Sequence, residues 1–331
     1  MSGLLARALR ATSGPPAAVE LAANRVSGAS IEWRGARPSI AAHAVEPLPG
    51  GALVPSLTAH NAHDRKTVVA AIGAVLDRIG RPRRIGLVVP DVVAKISIIR
   101  FAQLPTRPHD LDQLVRWQVR KTTPFPTDEA RLSCAPGLAY DDGTDVLVSI
   151  ARREIVEEYE SLCADAGATA GIVDIATFNI VNAVLAASGQ APAGPPAGAD
   201  TGDWLLVNVG VDYVSMALLR GSCVIFFRNR AADSDGTLAD LVHQSAMYYE
   251  DRLQGAGLGR VVLAGAAEHG IRHAGDVDQL RRMLEQRLHT PVDSVDPRGA
   301  AALTDRISAA PALLDTLAPL VGLLLRDRVA A

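Results

Sequence analysis

The chain has few aromatic residues and little net charge, and both shortages exclude classes of protein. Aromatic residues make up 4% of the 331 positions, which is too few for the stacking surfaces that bind single-stranded nucleic acid. A formal net charge of −3 gives no overall attraction to nucleic acid or to an anionic membrane. We therefore expect no nucleic-acid partner.

Cysteine is also scarce, and only two pairs of histidines are closely spaced. The cysteines are far apart and form no CxxC pair: Cys134, Cys163 and Cys223. Such a set excludes a disulfide framework and is typical of a reducing compartment. His60 with His63, and His269 with His273, have spacings that would suit a metal, but neither pair has a third ligand nearby. Solvated loop histidines are the simpler interpretation, so we predict no metal site.

Long apolar runs are absent as well. The most apolar segment, ALLDTLAPLVGLLL, is short and is interrupted by Asp315 and Pro319, so it is not expected to span a membrane. The first residues lack the long apolar core and the cleavage site of a signal peptide. We interpret residues 1–16 as a leader.

What the chain does contain is an alternation of strand-like and helix-like segments, which predicts an α/β fold. The pattern predicts a helix that Asp64 caps and Gly80 ends. Further helices are expected at residues 110–122, 154–166, 176–187, 237–253, 277–288 and 313–328. Residues 190–203, rich in Pro, Gly and Ala, read as a linker between two parts.

The two parts open on similar stretches. VELAANRVSGASI in the first aligns without a gap with VNVGVDYVSMALL in the second, which pairs Val19 with Val207 and Ser27 with Ser215. Each stretch reads as a strand, a turn and a second strand. The sequence therefore predicts two related hairpins, one at the start of each part.

An ordered set of segments resembles the PilM family of type IV pilus assembly proteins. The segments are FAQLPTRPHDLDQLVRWQVRKTTPFPTDEARL, VLVSIARREIVEEYESLCADAGATAGIVDIATFNIVNAVL and VNVGVDYVSMALLRGSCVIFFRNR. The most specific features are LP before a helix and then PFP, the AGATAGIVDI strand entry, and FFR after the second hairpin. The resemblance covers residues 17–326.

The resemblance implies an α/β fold of the actin-like (ribonuclease H-like) type, similar to that of the cell-division protein FtsA, with two lobes around a nucleotide cleft. On this basis residues 17–84 and 168–189 form the first lobe, 85–167 an inserted subdomain and 204–331 the second lobe. The resemblance also implies a cytoplasmic protein at the inner face of the cytoplasmic membrane. There it would bind the short N-terminal cytoplasmic tail of a bitopic partner, PilN.

In relatives the two hairpin turns hold the phosphates of ATP with Mg²⁺, and here both turns are altered. Where the first hairpin usually reads Asp-x-Gly, this chain has Glu20 and Ala22, and the alanine Cβ hinders close approach of the backbone to phosphate. The second hairpin keeps Gly210 but has Asn208 in place of the acid. Asp212 follows, and its carboxylate would repel a phosphate; the alternatives are a displaced metal ligand and a simple turn residue.

The third turn of such a site, which faces the adenosine, is altered too. It reads LAGAAEHG, which keeps Gly265 but has Ala266 and Ala267 where a second glycine is usual. No side chain is an obvious general base, so we assign no catalytic residue. The cofactor that the resemblance implies, ATP with Mg²⁺, therefore meets a site in which each part is eroded.

A separate stretch, LVRWQVRKTTPFP, mixes basic and large apolar side chains in the way that protein interfaces do. We predict a partner-binding surface there, formed by Arg116, Trp117, Arg120 and Phe125. The alternative is that Trp117 and Phe125 pack inside the subdomain and the charges are only solvated.

Two functions follow from these features. The first is a non-enzymatic scaffold of pilus assembly, or of a related secretion system, that binds the partner's tail between the inserted subdomain and the first lobe. The second is an ATP-binding switch or ATPase of the same fold, whose nucleotide state controls partner binding. A small-molecule kinase is a more distant third, because the sequence offers no catalytic carboxylate. Self-association like that of actin stays open.

Overall fold

The computed structural model describes residues 14–35, 37–189, 202–231, 238–269, 277–304 and 310–329. Most of the predicted leader and of the predicted linker lies outside the described residues, and so does His273. Among the described helices, none is both long and apolar enough to cross a lipid bilayer.

The regular elements are as follows. The strands are β1 (Ala17–Ala22), β2 (Arg25–Arg34), β3 (Arg37–Pro47), β4 (Arg84–Val89), β5 (Ala94–Phe101), β6 (Ala130–Tyr140), β7 (Gly143–Arg152), β8 (Thr169–Ile175), β9 (Asp203–Val209), β10 (Tyr213–Arg220), β11 (Cys223–Ala231), β12 (Leu258–Ala264), β13 (Val292–Ser294) and β14 (Ala302–Leu303). The helices are α1 (Arg65–Arg78), α2 (Pro108–Val119), α3 (Arg153–Asp165), α4 (Ala176–Ala187), α5 (Leu238–Leu253), α6 (Ala266–His269), α7 (Val277–Leu288) and α8 (Pro311–Val329).

Local signals account for where helices begin and end. Asp64 caps α1 as predicted, since its carboxylate accepts a hydrogen bond from the backbone N–H of Thr67 at 3.1 Å. The helix α2 is shifted from the predicted residues 110–122. It begins at Pro108, a favoured residue for a first turn. It ends where Thr122 and Thr123 donate side-chain hydrogen bonds to the Val119 carbonyl.

Two sheets share one plan. The first has the strand order β14-β3-β2-β1-β4-β8 and the second has β11-β10-β9-β12-β13. In each, a three-stranded antiparallel meander is extended by parallel strands beside its first strand. Glu20 lies opposite Ser27, and Asn208 lies opposite Ser215. The alignment made from the sequence thus pairs residues that occupy the same register, and the prediction of two related hairpins is confirmed.

Helices α4 and α8 lie between the two sheets. Leu320 and Leu323 of α8 pack against the first sheet, while Ile180 and Val184 of α4 pack against the second. The outer face of the first sheet is covered by α1 and α3, and that of the second by α5 and α7. Each sheet is therefore buried on both faces, with one shared layer of helices in the middle.

The end of the described chain returns to the first lobe. Strand β14 pairs with β3, and α8 packs on the first sheet. The second sheet ends earlier, at β13. The second lobe is therefore shorter than the predicted residues 204–331, because the pattern of apolar residues in α8 does not say which sheet the helix will cover.

A third sheet, with the order β5-β7-β6, forms the inserted subdomain. It occupies Ala94–Arg152, a shorter range than the predicted 85–167, since β4 belongs to the first sheet and α3 to the core of the first lobe. Strand β7 alternates between two faces. One face carries Val146, Val148 and Ile150 and packs against α2. The other carries Leu147, Ser149 and Ala151 and faces the first lobe across a groove.

Candidate functional site

The residues predicted for a nucleotide site come together between the two lobes. Glu20 and Ala22 from β1, Asn208 from β9, and Gly210, Asp212 and Gly265 from the following turns all line one cleft. Ala266, the remaining predicted residue, is buried in the second-lobe core directly behind Gly265. The cavity volume left in the cleft is about 30 Å³. That is room for one or two water molecules, whereas small-molecule sites are typically about 300–1,000 Å³.

Glu20 is already paired within the chain. Its carboxylate accepts a hydrogen bond from the Arg25 guanidinium at 2.9 Å and another from the Ser27 hydroxyl at 2.9 Å. All three residues are buried. A charge-assisted pair of this kind is strong in a dry site, so the positive charge beside Glu20 is supplied by Arg25.

Asn208 takes part in a buried polar network that joins the lobes. Its amide donates to the Thr177 hydroxyl at 3.0 Å. The Asp91 carboxylate accepts from the Thr177 backbone N–H at 3.0 Å and from the Thr177 hydroxyl, and Asn208 and Ser215 lie beside it. Burial raises the pKa of Asp91, and these hydrogen bonds oppose that shift. We call these four residues, Asp91, Thr177, Asn208 and Ser215, the interlobe network.

Tyr213 fills the space beside Gly210. Its ring is only 7% exposed, and a Cβ added to Gly210 would lie 2.5 Å from the ring. The Tyr213 hydroxyl lies close to the backbone of Asp91, across the cleft. Burial raises the pKa of Tyr213 well above its ordinary value, so the phenol stays neutral. Any larger residue at position 210 would therefore clash with the Tyr213 ring.

At the third turn, too, residues of the chain itself fill the space and accept a backbone hydrogen bond. Gly265 has a φ of +76°, and a Cβ there would lie 2.2 Å from the Val209 carbonyl oxygen, so only glycine fits. Just after it, the backbone N–H of Ala267 donates to the buried Asp315 carboxylate of α8 at 2.8 Å. Asp212, by contrast, is exposed at the mouth of the cleft.

A second and much larger space lies between the inserted subdomain and the first lobe. We call it the subdomain groove, and its cavity volume is about 520 Å³. One wall is the face of β6 and β7 that α2 does not cover. The opposite wall is formed by α3, α4 and the end of β8, and is mostly apolar. Its apolar side chains include Ile155, Val156, Phe178, Val181 and Leu185.

Charged side chains of the groove differ in whether they are paired. Arg131 lies 3.7 Å from Glu157, and Asp174 pairs with Arg326 at 3.0 Å. Burial raises the pKa of Asp174, and Arg326 partly offsets that shift. Glu160 also lines the groove, and it makes no ion pair with any residue that the structure describes.

The residues predicted for partner binding lie on the other side of the same sheet. Phe125 is buried in the subdomain core, so it stabilises the subdomain and is not free for a partner. Arg116 is held by Asp112 at 2.7 Å and by backbone carbonyls. Trp117, 68% exposed, and Arg120 face solvent. None of the four lines the subdomain groove.

Sequence reasoning missed the side chains that fill the cleft, namely Arg25, Asp91, Tyr213 and Asp315. One signal was available. Asp91 follows the buried strand β4, and side chains at the carboxyl ends of parallel strands converge on the ligand crevice of α/β sheets. The other three carry no local signal, because their partners come from distant parts of the chain.

The paired lobes, the shared helical layer and the inserted subdomain define an actin-like fold. A family model described as type IV pilus assembly protein PilM matches residues 19–252. The chain therefore belongs to the PilM family of type IV pilus assembly proteins.

A solved structure with a TM-score well above 0.5 supports this fold, and two weaker matches are given for comparison. The chain is similar to a structure of the PilM–PilN type IV pilus biogenesis complex, with a TM-score of 0.77 and 19% identity over 95% of this chain and 99% of that one. A protein of Bacteroides thetaiotaomicron with an actin-like ATPase fold matches with a TM-score of 0.49 and 7% identity, over 86% and 91% of the two chains. The cytoplasmic domain of EpsL, from the type II secretion system of Vibrio cholerae, matches with a TM-score of 0.46 and 8% identity, over 95% and 94%.

Proposed function

We propose that this protein is a non-enzymatic scaffold of type IV pilus assembly, or of a related secretion system, and that it binds the short cytoplasmic tail of a PilN-like inner-membrane protein. The observation that carries the proposal is the subdomain groove, which is open and mostly apolar. The match to the PilM family and the similarity to a structure of a PilM–PilN complex also support the proposal.

The groove suits an extended peptide. The three-stranded sheet is covered by α2 on one face, and its other face is left without a helix. Ile155, Val181 and Leu185 are already buried. The apolar surface that a ligand would remove from water therefore belongs to the half-buried Leu147, Val156 and Phe178. Recognition of a peptide by such a groove uses a few apolar anchors, with polar groups that set its register.

The charge of the groove also favours binding of such a tail. Segments on the cytoplasmic side of membrane helices are rich in Lys and Arg, and Glu160 is an acid of the groove without an ion-pair partner among the described residues. A basic residue of the tail would supply that partner. Through this tail the scaffold would be held at the inner face of the cytoplasmic membrane.

The test uses a synthetic peptide with the sequence of the cytoplasmic tail encoded beside this protein's gene. Isothermal titration with the full chain should show binding, and Ala135→Trp should abolish it by filling the groove. Ala139→Trp is the matched control, since both alanines are exposed on β6 but only Ala135 lines the groove. No binding by the unmodified chain, or equal binding by Ala135→Trp, contradicts the proposal. Light scattering on the same samples measures self-association.

An ATP-dependent switch is the second candidate, because the predicted residues still meet in one cleft. The cavity of about 30 Å³ argues against it, since ATP with Mg²⁺ requires a far larger site. The scaffold is therefore the function that the geometry supports best.

A further inference from the structure

We infer that the interlobe cleft does not hold ATP with Mg²⁺, because side chains of the protein itself take the places of the metal and the phosphates and keep the lobes closed. This inference concerns the cleft and stands apart from tail binding in the subdomain groove.

The place expected for the metal is occupied by a cation of the chain. Glu20, the acid retained on the first hairpin, is bound by Arg25 at 2.9 Å, with both side chains less than a tenth exposed. A hydrated Mg²⁺ ion would have to displace that guanidinium and leave it buried without its partner, which is strongly unfavourable. Asn208 offers the ion no charge, and its amide is already used in the interlobe network.

The place expected for the phosphates is occupied by a ring. Tyr213 packs against Gly210, and the backbone N–H of Gly210 donates to the Tyr213 carbonyl at 2.8 Å. The amide that would face a phosphate is therefore satisfied within the hairpin turn. A phosphate can reach the glycine only if the tyrosine swings out of a site in which it is buried.

The third turn holds a carboxylate in place of a ligand anion. Asp315 accepts the hydrogen bond from Ala267 at the start of α6, which is the kind of backbone donor that binds phosphate in other proteins. The acceptor of that donor is therefore a carboxylate of the chain, which a phosphate oxygen would have to displace.

The interlobe network explains how the lobes stay together without a ligand. Asp91 and Thr177 come from the first lobe, and Asn208 and Ser215 come from the second. All four residues are buried. Separating the lobes breaks the Asn208–Thr177 hydrogen bond and removes Asn208 and Ser215 from beside the Asp91 carboxylate, and buried polar networks of this kind fix one arrangement. The closed shape, which a nucleotide would otherwise stabilise, is built into the chain.

The experiment is a thermal-shift titration of the full chain with Mg²⁺–ATP and Mg²⁺–ADP up to millimolar concentration. We expect no change in the melting temperature. A ligand present at a hundred times its Kd would raise it by roughly 5 °C, so a saturable rise of that size overturns the inference.

A second measurement tests the role of the ring by hydrogen exchange. Tyr213→Ser should speed exchange in the turns at Gly210 and Gly265, whereas Tyr248→Ser, an exposed tyrosine on α5, should not. Unchanged exchange in Tyr213→Ser overturns the assignment of the ring as the element that fills the cleft. Tail binding is measured separately, so its failure affects the proposed function and leaves the cleft result intact.

Discussion

The interlobe cleft and the subdomain groove both lie at a boundary of the first lobe, yet one has about 30 Å³ of cavity and the other about 520 Å³. In the cleft, charged and polar side chains bond to one another across the boundary. In the groove, side chains of a sheet and two helices, such as Leu147, Val156 and Phe178, are only half-buried, and Glu160 has no ion-pair partner among the described residues. The two boundaries therefore differ in how far the chain fills them with its own side chains.

The largest effect is expected where the cleft network is broken. Asp91→Leu leaves the buried Thr177 N–H and hydroxyl without their acceptor and removes the carboxylate that lies beside Asn208 and Ser215. We expect a loss of about 3–5 kcal/mol in the free energy of unfolding, measured by urea denaturation.

The matched control for that change is Asp141→Leu, at an exposed position between β6 and β7, which should stay within about 0.5 kcal/mol of the unmodified chain. A loss for Asp91→Leu no larger than for this control would show that the network does not hold the lobes.

A change in pH should alter the free energy of unfolding by a smaller amount, and the group responsible should be Asp91 in the cleft. Burial raises the pKa of Asp91 in the folded protein, so the folded state binds more protons than the unfolded state between about pH 4 and that raised value. Stability contributed by the protonated carboxyl is therefore lost as the pH rises through this window and is constant above it.

Asp91→Asn removes the titrating group and separates this effect from that of other groups, including Asp174, which both proteins share. Urea midpoints measured from about pH 4 to pH 8 should fall more in the unmodified chain than in Asp91→Asn. Parallel curves would mean that Asp91 titrates alike in the folded and unfolded states.

The smallest effect is expected in the groove. Glu160→Gln should weaken binding of a basic tail peptide by about fivefold, because a partly exposed ion pair contributes about 1 kcal/mol or less. Glu157→Gln is the control, since Glu157 pairs with Arg131 and is not part of the groove lining. The difference should shrink at high salt. Equal losses in the two variants would remove Glu160 from the recognition of the tail.

The sequence was most informative where the deciding contacts are local. Asp64 and Gly80 mark the ends of α1 through their neighbours in the sequence. The two hairpins follow from the alternation of apolar residues and from the turn residues between the strands. The resemblance to a known family supplied the fold and the cleft. From that resemblance we expect Glu20, Asn208 and Gly265 to lie close together, and all three line one cleft in the structure.

What the sequence did not reveal depends on distant contacts. Tyr213 reads as an ordinary strand residue, and only the approach of Asp91 from the other lobe makes it the side chain that fills the cleft. Trp117 and Phe125 look alike in the sequence, yet one is exposed and the other buried. Which face of a helix a sheet will cover is decided by the packing of the whole subdomain.

The return of α8 to the first sheet has a consequence for how the protein folds during synthesis. Leu320 and Leu323 cover one face of the first sheet. All strands of that sheet except β14 are made before the second lobe. Domains usually fold in the order in which they leave the ribosome. Here the first lobe cannot bury that face until α8 has emerged, and Ala318 and Asp315 of the same helix contact the second lobe, so both lobes complete their packing only after the last helix is made.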